Sequence, residues 1–250
     1  MSLLAISFFA FLAVGTSFLS GVFGMAGGML LMGGLLYMVP VGDAMILHGL
    51  TQLTSNGWRA LLWRPYVRWT IIARYGLGLL LAGALFSSME IVPQQELIFL
   101  ILGLVPFIGR VLPAQWVPPV NQRAGAEICG FIGTSFQLLS GVSGPMLDIF
   151  FIRSPLNRRE IVATKAMCQV ITHISKLLYF GMLIRGETTD VTTPPVIAIA
   201  ALCAVVGTIL SRSVLDRLTD TNFRRYTWWI LYAIGTAYLA RSLYSLIQTT

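Results

Sequence analysis

Two stretches of this chain place polar side chains at intervals that an α-helix gathers onto one face. In the first, His48, Gln52, Asn56 and Arg59 lie at i, i+4, i+8 and i+11. In the second, Lys165, Gln169, His173 and Lys176 repeat that spacing at a constant offset. With 3.6 residues per turn, each set becomes one stripe. Thr51, Ser55, Thr164 and Thr172 widen the stripes. Polar groups are costly in lipid, so both faces must turn toward water, a solute or each other. Gln52 and Gln169 fall near the middle of their segments and are the natural pair to hydrogen-bond a solute at the membrane midplane. His48 and Lys165 lie one turn to one side, Asn56 and His173 one turn to the other. Lys165 must meet an anion or a carboxylate, for which Asp148 is available. His48 and His173 have the chemistry to carry protons near neutral pH. Interhelical packing would account for one glutamine; two matching stripes favour a binding function.

Other chemistries find little support. Two histidines without nearby cysteines or carboxylates make a poor metal site. The chain has no HExxH, no GxSxG, no paired intramembrane carboxylates and no GxxxxGK[ST], so an enzyme, a nucleotide binder and any cofactor are unexpected. The three cysteines, Cys129, Cys168 and Cys203, have no paired spacing and read as packing residues.

Two glycine-rich breaks precede the stripes. One is Gly21-Val22-Phe23-Gly24-Met25-Ala26-Gly27-Gly28, the other Gly141-Val142-Ser143-Gly144-Pro145. Each reads as the end of one helix and the start of another. Pro145 suits the first turn of a new helix. Irregular backbone at membrane depth survives only inside protein or beside a cavity. A helix that starts there presents free N–H groups and a partial positive charge, which is an anion site without a charged side chain. Gly24, Gly27, Gly28 and Gly144 are therefore expected to touch substrate, together with His48, Thr51, Gln52, Asn56, Lys165, Gln169 and His173.

The elements that must position these residues follow from composition. Of 250 residues, 56% are hydrophobic and 11% charged, against about 25% charged in soluble domains. Mean hydropathy is +0.78. The chain reads as an all-α, multi-span membrane protein with room for about eight spans. Its net charge of +7 reflects arginine-rich cytoplasmic loops rather than a nucleic-acid partner. Apolar segments fall at 3–20, 28–40, 43–63, 68–89 and 94–112, then 124–140, 145–153, 157–184, 193–211 and 222–247. That is five segments, repeated. Gly15-Thr16-Ser17-Phe18 recurs as Gly133-Thr134-Ser135-Phe136, and Ser20-Gly21-Val22 as Ser140-Gly141-Val142. Asp43 matches Glu160 and Arg59 matches Lys176.

The expected organisation is one repeat over 1–119 and a second over 120–250. Each holds a short, re-entrant hairpin and about three spanning helices. Segments 28–40 and 145–153 are too short for a bilayer of about 30 Å. An odd number of crossings per half makes the repeats inverted, as in many secondary transporters. Arg64, Arg68, Arg123, Arg153, Arg158, Arg159, Arg212, Arg217, Arg224 and Arg225 then share one side. Asp43, Glu90, Arg185, Glu187 and Asp190 fall on the other. This pattern puts the linker in the cytoplasm and both termini outside. Arg59, Arg64, Arg68 and Arg74 with Trp58, Trp63 and Trp69 should anchor the cytoplasmic interface. The opening residues have no basic region and no A-x-A site, so a cleaved signal is not expected.

The stretch Ser20 to Leu30 resembles the S-G-x-x-G-x-G-G-G signature of the sulfite exporter TauE/SafE family, with Ala26 at a position where the family often has glycine or another small residue. The helix from Asp43 to Arg59 is similar to that family's next stretch, and Ser140 to Met146 to its degenerate second copy, where Gly144-Pro145 replaces the full glycine triplet. The resemblance implies a bacterial inner-membrane permease for small sulfur anions such as sulfite, thiosulfate or organosulfonates. Partners would be that anion and membrane lipid, and a homodimer is compatible with the chain. A carrier of a cation or amino acid, or a membrane assembly factor, are the competing readings.

Overall fold

The computed structural model describes residues 3–23, 26–183, 193–215 and 220–249. Among the described residues the regular structure is helical, with no strand. The first half supplies α1 (Leu3–Phe23), α2 (Ala26–Leu36), α3 (Val41–Leu62), α4 (Trp69–Met89) and α5 (Gln95–Val111). The second supplies α6 (Gly125–Ser140), α7 (Gly144–Phe151), α8 (Arg158–Leu178), α9 (Pro194–Leu215) and α10 (Asp220–Thr249). A π-turn, Tyr179–Leu183, extends α8.

Local chemistry explains the boundaries. Asn157 caps α8 by accepting from the Glu160 backbone N–H at 3.1 Å, while the Glu160 carboxylate accepts from the Asn157 N–H at 3.1 Å. This reciprocal capping box satisfies two otherwise orphaned donors. Helix α6 ends where Gly141 turns to φ +78°, a left-handed conformation that costs glycine least. Three residues later α7 begins, with Pro145 in its first turn. The glycine-rich break in the first half is shorter than its composition suggests. Helix α1 runs through Gly21 to Phe23, and α2 starts at Ala26, so Gly27 and Gly28 are helical. Glycine clusters do not by themselves stop a helix when packing holds it. Gly24 lies outside the described residues, as do Arg185, Glu187, Asp190 and Arg217.

Helices α2 and α7 have 11 and 8 residues, about 16 and 12 Å at 1.5 Å per residue. Neither can cross a bilayer. Three described segments are long and apolar enough to do so: Leu4–Phe23, Trp69–Met89 and Pro194–Ser211. Helices α3 and α8 have spanning length, at 22 and 21 residues, but their polar stripes dilute them. Large apolar side chains face outward on the spanning helices, with Leu80 66% and Leu202 67% exposed, as a lipid-facing surface requires.

The packing has a reciprocal pattern. Helix α1 packs on α9, and α6 packs on α4; α3 packs on α8, and α5 on α10. Exchanging the fifth-part equivalents of the two halves turns the first interface into the second and returns the other two unchanged. Both exchanged interfaces depend on a small residue. A Cβ on Gly207 would lie 2.4 Å from the Val14 carbonyl oxygen, and one on Gly78 would lie 1.9 Å from that of Glu127. The central pair, α3 and α8, runs antiparallel. At one end Arg159, in the first turn of α8, donates to the Tyr66 hydroxyl just beyond α3 at 2.9 Å. At the other, Lys176 near the end of α8 meets His48 in the first half of α3. Arg68 and Glu160 pair near the first end, and Arg74 forks onto Glu127 at 2.8 Å.

Candidate functional site

The two stripes meet between α3 and α8, where the N-terminal turns of α2 and α7 also arrive. They enclose a small buried cavity. Its walls are Gly28 from α2, His48 and Gln52 from α3, Gln137 from α6, Val142, Ser143 and Gly144 at the second break, and Gln169 and His173 from α8. The cavity volume open to a water-sized occupant is about 10 Å³, room for about one water molecule. Except for Val142, every lining side chain is polar or absent.

Hydrogen bonds fix the two imidazoles. Lys176 Nζ donates to His48 Nδ1 at 2.9 Å. With Nζ as the donor, Nδ1 carries no proton and His48 Nε2–H donates to the Gly28 carbonyl at 3.0 Å. Gln137 Nε2 donates to His173 Nδ1 at 2.9 Å, which leaves the His173 proton on Nε2. The two rings lie 5.6 Å apart, tilted at 46°. Three lining atoms are buried without a hydrogen-bond partner: Gln52 Nε2, Gln137 Oε1 and Ser143 Oγ. Buried polar atoms are nearly always satisfied in native proteins, so three orphans on one cavity wall mark a place that expects a polar guest.

A second reciprocal feature frames the site. Arg59 donates to the Ser20 carbonyl at 3.0 Å near the end of α1. Lys176, its equivalent, donates to the Gly141 carbonyl at 3.2 Å at the end of α6. Each cation sits where a helix terminus is negative and ties a long helix to the break beside it.

Of the residues expected to touch substrate, the structure brings six to this cavity: Gly28, His48, Gln52, Gly144, Gln169 and His173. Four lie elsewhere. Thr51 is buried and donates to the Leu47 carbonyl of its own helix at 2.8 Å. Asn56 donates to the Gln52 carbonyl at 2.9 Å and accepts from Arg59. Gly27 packs against α1, where a Cβ would meet the Thr16 carbonyl oxygen at 1.9 Å. Lys165 forms an ion pair with Asp148 on α7 and is partly exposed. The remaining one, Gly24, is not described. Gln137 and Ser143 were not expected. Matching the halves hides them, because Gln137 stands in an insertion relative to Phe18-Leu19-Ser20 and Ser143 stands opposite Phe23. An amide within an apolar run was the available signal for Gln137.

Residues 8–238 match the family described as Sulfite exporter TauE/SafE. The chain belongs to that family. A relative described as "Probable sulfite/organosulfonate exporter TauE", from Cupriavidus necator, is 26% identical over 236 residues, covering 91% of both chains. No solved structure matches. The match runs across both stripes and both breaks, so the cavity lies within family sequence. The protein is accordingly a membrane transporter rather than an enzyme, in a family of sulfite exporters.

Proposed function

We propose that this protein exports small sulfur oxyanions, sulfite or an organosulfonate, across the bacterial inner membrane, and that the cavity between α3 and α8 is where the anion is held. The observation that carries this reading is the convergence of Gln52, Gln169 and the N-terminal turns of α2 and α7 on one buried space. Amide N–H donors and helix N-termini suit an oxyanion. The lining has no carboxylate, which counts against a cation. The orphaned Gln52 Nε2 and Ser143 Oγ are donors that a sulfonyl oxygen would satisfy.

The cavity is too small for such an anion without movement of its walls. Alternating access follows if the halves rock about the antiparallel α3–α8 pair. Inverted repeats are part of the same proposal. The equivalent helices α3 and α8 run antiparallel, and the α1–α9 and α4–α6 interfaces exchange under the same operation, which a pseudo-two-fold axis in the membrane plane would explain. Parallel repeats would align α3 with α8. The arginine pattern then puts the interhelical corner with Arg68, Arg159 and Glu160 on the cytoplasmic side.

Counterflow tests the function. Liposomes holding the purified protein and unlabelled thiosulfate or ethanesulfonate should take up the labelled anion at equal pH on both sides. Labelled sodium or a neutral amino acid should not exchange. Exchange of those solutes but not of the anions would overturn the reading.

A further inference from the structure

Lys176 is fully buried, and both groups that receive its hydrogen bonds are uncharged: His48 Nδ1 and the Gly141 carbonyl. Three ion pairs join Arg68 to Glu160, Arg74 to Glu127 and Lys165 to Asp148. Lys176 is in none of them. The other titratable or charged groups on the elements packed about it have their own engagements. On α3, Arg59 donates to the Ser20 carbonyl and Asp43 lies in the first turn. On α4, Tyr75 bonds Thr172 and Arg74 holds Glu127 of α6. On α7, Asp148 holds Lys165, and on α8 itself His173 accepts from Gln137. Beyond α8, the Tyr179 hydroxyl donates to the Ile91 carbonyl.

Lys176 and His48 therefore share a single hydrogen bond, one Nζ against one Nδ1. The pair holds one positive charge when a proton lies on either nitrogen and none when both are bare. A buried charge without a counter-charge costs several kcal/mol. An oxyanion in the adjoining cavity, one imidazole ring away, removes that cost. The charged pair and the loaded cavity thus favour each other, and by linkage the preference is reciprocal.

We propose that one proton travels with each anion, carried on the Lys176–His48 pair; this rests on the transport reading above. On loading, a proton from water forms an N–H bond at Lys176 Nζ or His48 Nδ1 as the anion binds. On release that N–H bond breaks, and proton and anion leave to the same side. A singly charged anion then crosses without net charge, and flux runs on the anion gradient and the pH gradient together rather than on membrane potential. The equivalent position in the first half holds Arg59, which cannot release a proton. One half carries a fixed charge and the other an exchangeable one.

The test uses proteoliposomes and ethanesulfonate, whose sulfonate stays anionic throughout the working pH range. With the outside one pH unit more acidic, the wild type should accumulate the anion about tenfold, the equivalent of one proton. A potassium–valinomycin potential should leave its flux unchanged. Lys176→Arg should lose pH-driven accumulation, measured relative to its own counterflow at equal pH, and become sensitive to potential. Counterflow without pH-driven accumulation in the wild type overturns proton coupling alone. Accumulation retained by Lys176→Arg overturns the assignment to this pair. Absence of wild-type counterflow overturns the transport reading, and this inference with it. Should Lys176→Arg fail to fold, the wild-type accumulation and potential measurements decide the coupling.

Discussion

Gln52 and Gln169 occupy equivalent positions on α3 and α8 and both line the cavity, and Gln52 Nε2 has no other partner. A hydrogen bond to a charged group contributes about 1.5–3 kcal/mol. Gln52→Ala or Gln169→Ala should therefore slow anion counterflow at low substrate by about ten- to a hundredfold. Unchanged flux in both would remove the glutamines from the site. Thr51 makes the opposite prediction. Its hydroxyl is spent on Leu47 of its own helix, so Thr51→Val should leave flux within about twofold, since an i−4 back-bond contributes little. Lys165 pairs with Asp148 and does not line the cavity. Its partly exposed pair with Asp148 is worth about 0–1 kcal/mol, and Lys165→Gln should preserve exchange. Helical spacing identifies the face on which Thr51, Gln52 and Lys165 stand. It does not reveal which hydroxyl bonds its own backbone or which lysine finds a carboxylate on another helix. Lys165 is about three turns from Lys176 along α8, and that distance separates an ion pair at the edge from a lysine beside the cavity.

Helix α7 and the turn before it show how an element sets the site. Gly141 stands at φ +78°, and a Cβ there would meet Met32 Sδ at 2.7 Å. Its carbonyl also accepts from Lys176. Gly141→Ala should lower the melting temperature in detergent, with about 1–2 kcal/mol from the left-handed backbone alone, and should slow counterflow. Gly57, in the second half of α3, is the control. A Cβ there meets nothing within 4 Å, and Gly57→Ala should stabilise by about 0.5–1 kcal/mol, read as a higher melting temperature. At this scale much was legible beforehand. The short second segments and the stripes on α3 and α8 follow from local pattern. The first break was overextended because glycine content signals freedom, whereas Gly21 and Gly27 are used for close packing against Ser211 and Thr16. Gln137 was missed for a related reason. Repeat matching finds what two halves share, and the cavity wall also uses what they do not.

At the scale of the molecule, the proposed alternation of access requires the contact between α3 and α8 to change. The two ends of that contact differ in kind. One is the polar corner where Arg159 meets Tyr66 and lies 5.9 Å from the Trp63 ring centre. The other is the buried Lys176–His48 bond beside the cavity. Packed interfaces shift between discrete arrangements rather than deform smoothly. If access alternates, the corner must open when the site faces the cytoplasm and close when it faces away. Tyr66→Cys with Arg159→Cys, in a background with Cys203→Ala, places two thiols across it. The other native cysteines, Cys129 and Cys168, are buried and should react slowly. A short, cleavable bifunctional thiol reagent should join the pair and abolish counterflow, and reductive cleavage should restore it. Anion binding in detergent should survive the cross-link if the site stays accessible from the opposite side. Full flux in the cross-linked protein would mean that the corner does not open, and the rocking motion would have to be abandoned in favour of one confined to the short helices α2 and α7.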